Sequence, residues 1–133
     1  MFGKFDLDMI TEDYVSFEIA KLLKEKGFDG ECDLFYRTDE PKSIIHEASK
    51  IAYSQGIDDE CVITPTLQMA MKWLRKEHNL SIEPYYTHKQ GYKFAVQEIP
   101  TAISLWMDLP DELYSTYEEA CETAIKYCLE NLI

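Results

Sequence analysis

Apolar positions fall at three- and four-residue intervals along much of this chain, and in alternation along two shorter stretches. Residues 115–133 carry the clearest helical case. Tyr117, Ala120, Cys121, Ala124, Ile125, Cys128, Leu129 and Leu132 line one face there. Ser115 with Glu118, or Thr116 with Glu119, has the spacing of a capping box at the start. The hydroxyl accepts from the third amide while the carboxylate returns to the cap amide. A helix so well punctuated predicts an element that docks and closes a core.

The same periodicity predicts three more helices. One covers about 12–26 after a cap at Thr11, with Val15, Ile19, Leu22 and Leu23 inward and Phe17 and Ala20 at the margins. Gly27 followed by Phe28 is its stop, a glycine free to turn left-handed with an apolar residue folding back. Ile44, Ile45, Ala48, Ile51 and Ala52 fit a second helical stripe between Ser43 and Gly56, better than they fit a strand over 43–46. Thr64 and Pro65 open a third, running to about His78: threonine caps, and proline stands where its missing N–H costs nothing. Leu67, Ala70, Met71 and Leu74 make its stripe, widened by Met69 and Trp73. Arg75, Lys76 and His78 meet the negative end of its dipole.

Strand signals are fewer. Residues 32–37 are short and aromatic, and 102–107 add a candidate before a turn at 109–111. Residues 80–87 and 92–99 predict a hairpin. Pairing Tyr86 with Phe94 leaves a loop at 89–91, with Gly91 where φ is positive. Leu80, Ile82, Tyr86, Tyr92, Phe94 and Val96 then share the core face, leaving Tyr85 and Lys93 outside. Pro84 cannot donate to a ladder, which marks an edge or a bulge. The element order predicts an α+β fold in one domain over 1–133. Its sheet is small and mainly antiparallel, of three to four strands, with three to four helices packed mostly on one face.

Composition adds limits. The 133 residues are 46% apolar and 13% aromatic, enough for a core and too much for general disorder. No apolar run approaches a membrane span, and the first residues lack the pattern of a secretion signal, so the expectation is a cytoplasmic protein with no membrane partner. The four cysteines show no metal-finger spacing. Cys121 and Cys128 lie on one helix face about 10 Å apart, too far for a disulfide or a shared zinc ion. Both read as small buried hydrophobes. Cys61 follows Asp59 and Glu60, whose charge opposes a thiolate. Net charge is −12, distributed as −8 over 1–60, +2 over 61–100 and −6 over 101–133. Such a chain is repelled by bulk nucleic acid and by anionic membrane.

Two blocks carry a family resemblance. One is 10–29, with Glu12-Asp13-Tyr14 leading through Ile19-Ala20-Lys21-Leu22-Leu23 to Gly27-Phe28-Asp29. The other joins 65–78, around Met69-Ala70-Met71-Lys72-Trp73-Leu74, to the helix opened by Thr116-Tyr117-Glu118-Glu119-Ala120. Together they resemble a family of small uncharacterised proteins of phages, prophages and mobile elements in gut anaerobes. The resemblance implies a genomic setting and a shared architecture. It carries over no activity and no catalytic residues.

Chemistry is thinly represented. His46, His78 and His88 form no H-x-x-x-H or H-E-x-x-H pair, so no metal site or cofactor is expected. No nucleophile elbow is present, and the five glycines never cluster into a phosphate cradle. The expected function is a non-catalytic accessory or protein-interaction domain, with an unidentified protein partner or self-association. Its candidate surface is Met69 and Trp73 on the helix face with Pro84 and Tyr85 on the edge strand. Two alternatives stand beside it: an acidic nucleic-acid mimic binding a DNA-processing protein, and single-stranded nucleic-acid binding by the 80–99 hairpin. Nucleic acid is the less expected partner, because the assumed register hides most of the hairpin aromatics.

Overall fold

A computed structural model describes residues 10–32, 34–39, 45–47, 61–107 and 112–133. Among them are α1 (Phe17–Glu25), β1 (Leu34–Arg37), β2 (Ile45–Glu47), β3 (Cys61–Ile63), α2 (Leu67–His78), β4 (Leu80–Thr87), β5 (Gly91–Glu98), β6 (Ser104–Met107) and α3 (Tyr117–Asn131). The fold is α+β, and every strand pairing among the described residues is antiparallel. The strands divide between two sheets, ordered β2-β1-β3 and β4-β5-β6. The single sheet expected from the pattern is thus split, because β1 pairs with β2 and β3 instead of joining the hairpin.

Helix α3 organises the packing. Thr116 caps it, its hydroxyl accepting from the Glu119 N–H at 3.0 Å, and Glu119 accepts in return from the Ser115 hydroxyl at 2.7 Å. The carboxylate reaches one residue further back than an ordinary capping box requires. Ala120, Cys121, Ala124, Ile125, Cys128 and Leu129 are all buried, as the stripe predicts. They meet β4 and β5 on one side and α1 and α2 on others, while α1 packs in turn on β3. One apolar cluster therefore draws on both sheets and all three helices, from Tyr36 and Val62 to Phe94 and Leu129. Burial of side chains this size contributes roughly 1.5–3 kcal/mol apiece.

Several local expectations need correcting. Helix α1 starts at Phe17 with Ser16 as its cap, not near Glu12 after Thr11. Residues 13–15 instead run extended along 65–67: Val15 N–H donates to the Pro65 carbonyl at 3.1 Å, and Leu67 N–H to the Asp13 carbonyl at 2.9 Å. Val15 stays buried because the extended chain also turns it inward. Thr64 is no cap. Fully buried, it donates its hydroxyl to the Val15 carbonyl at 3.1 Å, beside a second bond from the Tyr36 hydroxyl at 3.0 Å. The cap of α2 is Thr66, which accepts from Met69 N–H at 3.1 Å. Residues 45–47 are a strand rather than part of a helix, and the rest of that predicted helix lies outside the described residues, as does the turn at 109–111. Gly27 does end its helix as expected, at φ 88°, with Phe28 N–H returning to the Leu23 carbonyl.

The cap of α1 is completed from across the molecule. Ser16 Oγ accepts from Ile19 N–H, while Ser16 N–H donates to Glu122 Oε1 on α3 at 2.6 Å. A capping box normally takes that carboxylate from the third helical residue, which here is Ile19 and has none to give. Replacing Glu122 with alanine should cost roughly 1.5 kcal/mol or more, the worth of a hydrogen bond to a charged group. Glu122→Gln keeps an acceptor and should lose clearly less. Urea unfolding of the two variants decides it, and equal damage from both would remove the capping role.

Candidate interaction surface

The β4–β5 hairpin pairs Tyr86 with Tyr92 and Pro84 with Phe94, leaving His88, Lys89 and Gln90 in the loop. The register differs by two residues from the expected one, so side-chain faces are preserved while the loop moves. Gln90, at φ 65°, takes the left-handed position, and its N–H donates to the Thr87 carbonyl at 3.2 Å. Gly91 serves a different need: a Cβ there would lie 2.9 Å from Leu113 Cβ. The backbone of Tyr92 exchanges two hydrogen bonds with that of Tyr114, at 2.8 and 2.9 Å. Tyr86 and Tyr92 are therefore a non-hydrogen-bonded pair, and alternation makes Pro84 and Phe94 another. Pro84 costs the ladder nothing, and β4 is the edge of its sheet, as the proline predicts.

Alternation gives the face of a side chain but not its depth. Leu80, Ile82, Phe94 and Val96 are buried under α2 and α3, as expected. Tyr86 shares their face yet is 61% exposed, because it stands beyond the cover of the helices. Its ring meets Tyr92 edge-on, with centroids 5.1 Å apart, and Tyr92 meets Tyr117 at 6.0 Å. Gln68 Nε2 completes that row by donating to the Tyr117 hydroxyl at 3.3 Å. Tyr86 is thus braced on one side and open on the other. Tyr85, 46% exposed, points outward across from Lys93. Tyr85, Tyr86, Thr87, His88, Lys89 and Lys93 line an open hollow of about 420 Å³. Alternation alone assigned this second tyrosine to the core, because it gives the face and not the depth.

The other sequence candidates fare differently. Trp73 is buried, with Phe28 against it at 5.5 Å and His78 at 4.7 Å, so its ring is covered from within the chain. Met69 is 37% exposed on the margin of α2, and neither residue lines the hairpin hollow. Pro84 is half-buried next to Tyr85. A second hollow, about 300 Å³, lies where Ile10, Glu12, Asp13, Gln68, Tyr117 and Glu118 come together, with its carboxylates facing water. No group of three metal-binding side chains occurs among the described residues. The four cysteines are buried and none is in a disulfide. Burial pushes the Cys128 thiol up to about 12, and burial also pushes the Cys121 thiol up to about 11. Neither is a thiolate near neutrality, which removes the nucleophilic form.

No family model, curated protein or solved structure matches the chain.

Proposed function

We propose that this chain is a non-catalytic binding domain that meets a macromolecular partner through the end of its β4–β5 hairpin. The observation that carries this reading is the adjacent pair Tyr85 and Tyr86, both substantially exposed beside His88, Lys89 and Lys93. Aromatic rings left in water on a braced hairpin are unfavourable for folding alone. Large, rigid amphipathic rings of this kind are what binding surfaces concentrate. The phage or mobile-element setting belongs to the same proposal and rests on sequence resemblance.

A photoreactive benzoylphenylalanine placed at position 85, at 86, or at the control position Lys72 on the exposed face of α2 tests the reading. Irradiation in extract of the source cell should give discrete adducts from the hairpin positions and none from the control. Silence at both hairpin positions, or equal labelling at all three, would withdraw the hairpin as the contact element.

A further inference from the structure

We propose that the hairpin face carrying Tyr86 binds an extended basic peptide of a partner protein. An apolar side chain of the peptide lies on Tyr86, and an arginine enters the acidic hollow beside Tyr117. The assignment rests on the hairpin being the contact element, and it adds the face and the ligand.

The surface is continuous. Tyr86 stands on the side of β4 opposite to Tyr85, and its ring meets Tyr92, which meets Tyr117. Tyr117 in turn walls the hollow of about 300 Å³, together with Leu67, Gln68, Glu12, Asp13 and Glu118. All three tyrosines keep part of their surface in water. The two ring spacings, 5.1 and 6.0 Å, together match about three residues of extended chain. A peptide along this row therefore places an apolar residue at one end and a long side chain about three positions on.

Charge complementarity selects the occupant. Glu12, Asp13 and Glu118 are exposed, and none of them is ion-paired among the described residues. Glu118 is accounted for by the start of α3, where a carboxylate meets the positive end of the dipole. Glu12 and Asp13 lie outside any helix and have no such reason to be there. Two separate segments thus bring like charges to one hollow, which is unfavourable until a cation sits among them. Cations stand outside it, His88 and Lys89 past Tyr86 in the loop and Lys72 a turn beyond Gln68 on α2. The basic end of the peptide is thereby directed to the Glu12 side.

Arginine suits this arrangement, because its planar head packs on an aromatic ring while its forked donors meet carboxylates. A metal ion does not, since no three ligating side chains among the described residues are close enough to share one. Phosphates and anionic lipid are repelled.

The test is selection from a random heptapeptide library on beads by the fluorescently labelled whole chain. The bound pool should be enriched in arginine, with an aromatic or aliphatic residue three or four positions away. Anisotropy with the most enriched peptide then reads the variants. Tyr86→Ala should weaken binding roughly tenfold, as loss of an aromatic anchor does. Glu12→Gln with Asp13→Asn should weaken it roughly fivefold, the worth of one good exposed ion pair. Citrulline in place of the peptide arginine should cost a similar factor on the unaltered chain and nothing further on that double variant. Glu130→Gln, at the other end of α3, should change nothing. The substituted residues are all exposed, and an unchanged circular-dichroism melt verifies that the variants fold.

An empty selection, a pool without arginine enrichment, unchanged affinity in Tyr86→Ala, or citrulline and carboxylate effects that simply add would each overturn the assignment. Photoadducts from position 85 or 86 in cell extract, together with an empty selection, remove the basic peptide and leave the hairpin as the contact element. The two proposals therefore fail separately.

Discussion

Raising the pH from 9 to 11 should strip several kcal/mol from the stability of this protein, with the buried thiols of α3 as the main cause. In the unfolded chain a cysteine titrates near pH 9. In the folded chain burial pushes Cys128 up to about 12 and, with the Glu118 charge adding to it, Cys121 up to about 11. A group whose folded pKa is raised contributes stability that is whole below its unfolded pKa and is lost as pH climbs toward its folded pKa. The loss therefore starts near pH 9 and continues to about 12. For Cys128 it proceeds at about 1.4 kcal/mol per pH unit, or roughly 3 kcal/mol by pH 11. Cys121 acts in the same direction, as does Tyr36, raised by its burial. Domains of this size are stable by only about 5–15 kcal/mol, so the effect is large. Urea midpoints measured from pH 8 to 11 should fall steadily, and Cys128→Ala should flatten that fall. An alkaline loss identical in wild type and Cys128→Ala would mean the thiol is not what titrates.

Trp73→Ala should cost about 3–5 kcal/mol, the usual range for deleting a buried tryptophan. Its ring fills the space between Phe28, at the end of α1, and His78, at the end of α2. Removing it takes away the edge-on contact that each ring makes and opens a cavity that two helix ends cannot easily close. Had the ring faced water as part of a docking surface, the change would fall within about 0.5 kcal/mol. Met69→Ala, on the exposed margin of the same helix, is the natural comparison and should lose far less. Unchanged denaturation of Trp73→Ala would return the residue to the surface. The expected result carries a practical warning: loss of binding in that variant would report unfolding, not contact.

Helix α3 was legible because two independent signals coincide there, a cap and an uninterrupted stripe, and neither depends on distant partners. The hairpin was legible for the same reason, through alternation around one glycine. The start of α1 was not. Residues 12–16 fit a helical pattern, but the hydrogen bonds that Val15 N–H donates and the Asp13 carbonyl accepts, with a segment some fifty residues away, prevail over that local preference. Thr64 and Thr66 look alike as caps in sequence. Only the approach of Val15 distinguishes the buried donor from the true cap. Strand β3 has three residues, too few to show any period, and the strand at 45–47 exists by pairing with β1. At the candidate site, sequence placed Tyr85 outside and Tyr86 inside. Parity was right for both. What parity lacks is the distance a helix extends over a sheet, and Tyr86 lies past that limit.

The reach of Glu122 back to Ser16, across 106 positions, sets an order of events for a chain emerging from a ribosome. Until α3 has been synthesised, the greasy side of the β4–β5 hairpin has lost its main lid, and the amide that starts α1 has no carboxylate to receive it. A nascent chain halted before this stretch would expose Ile82, Phe94 and Val96 to whatever is nearby, so closure of this part of the core waits on translation of α3.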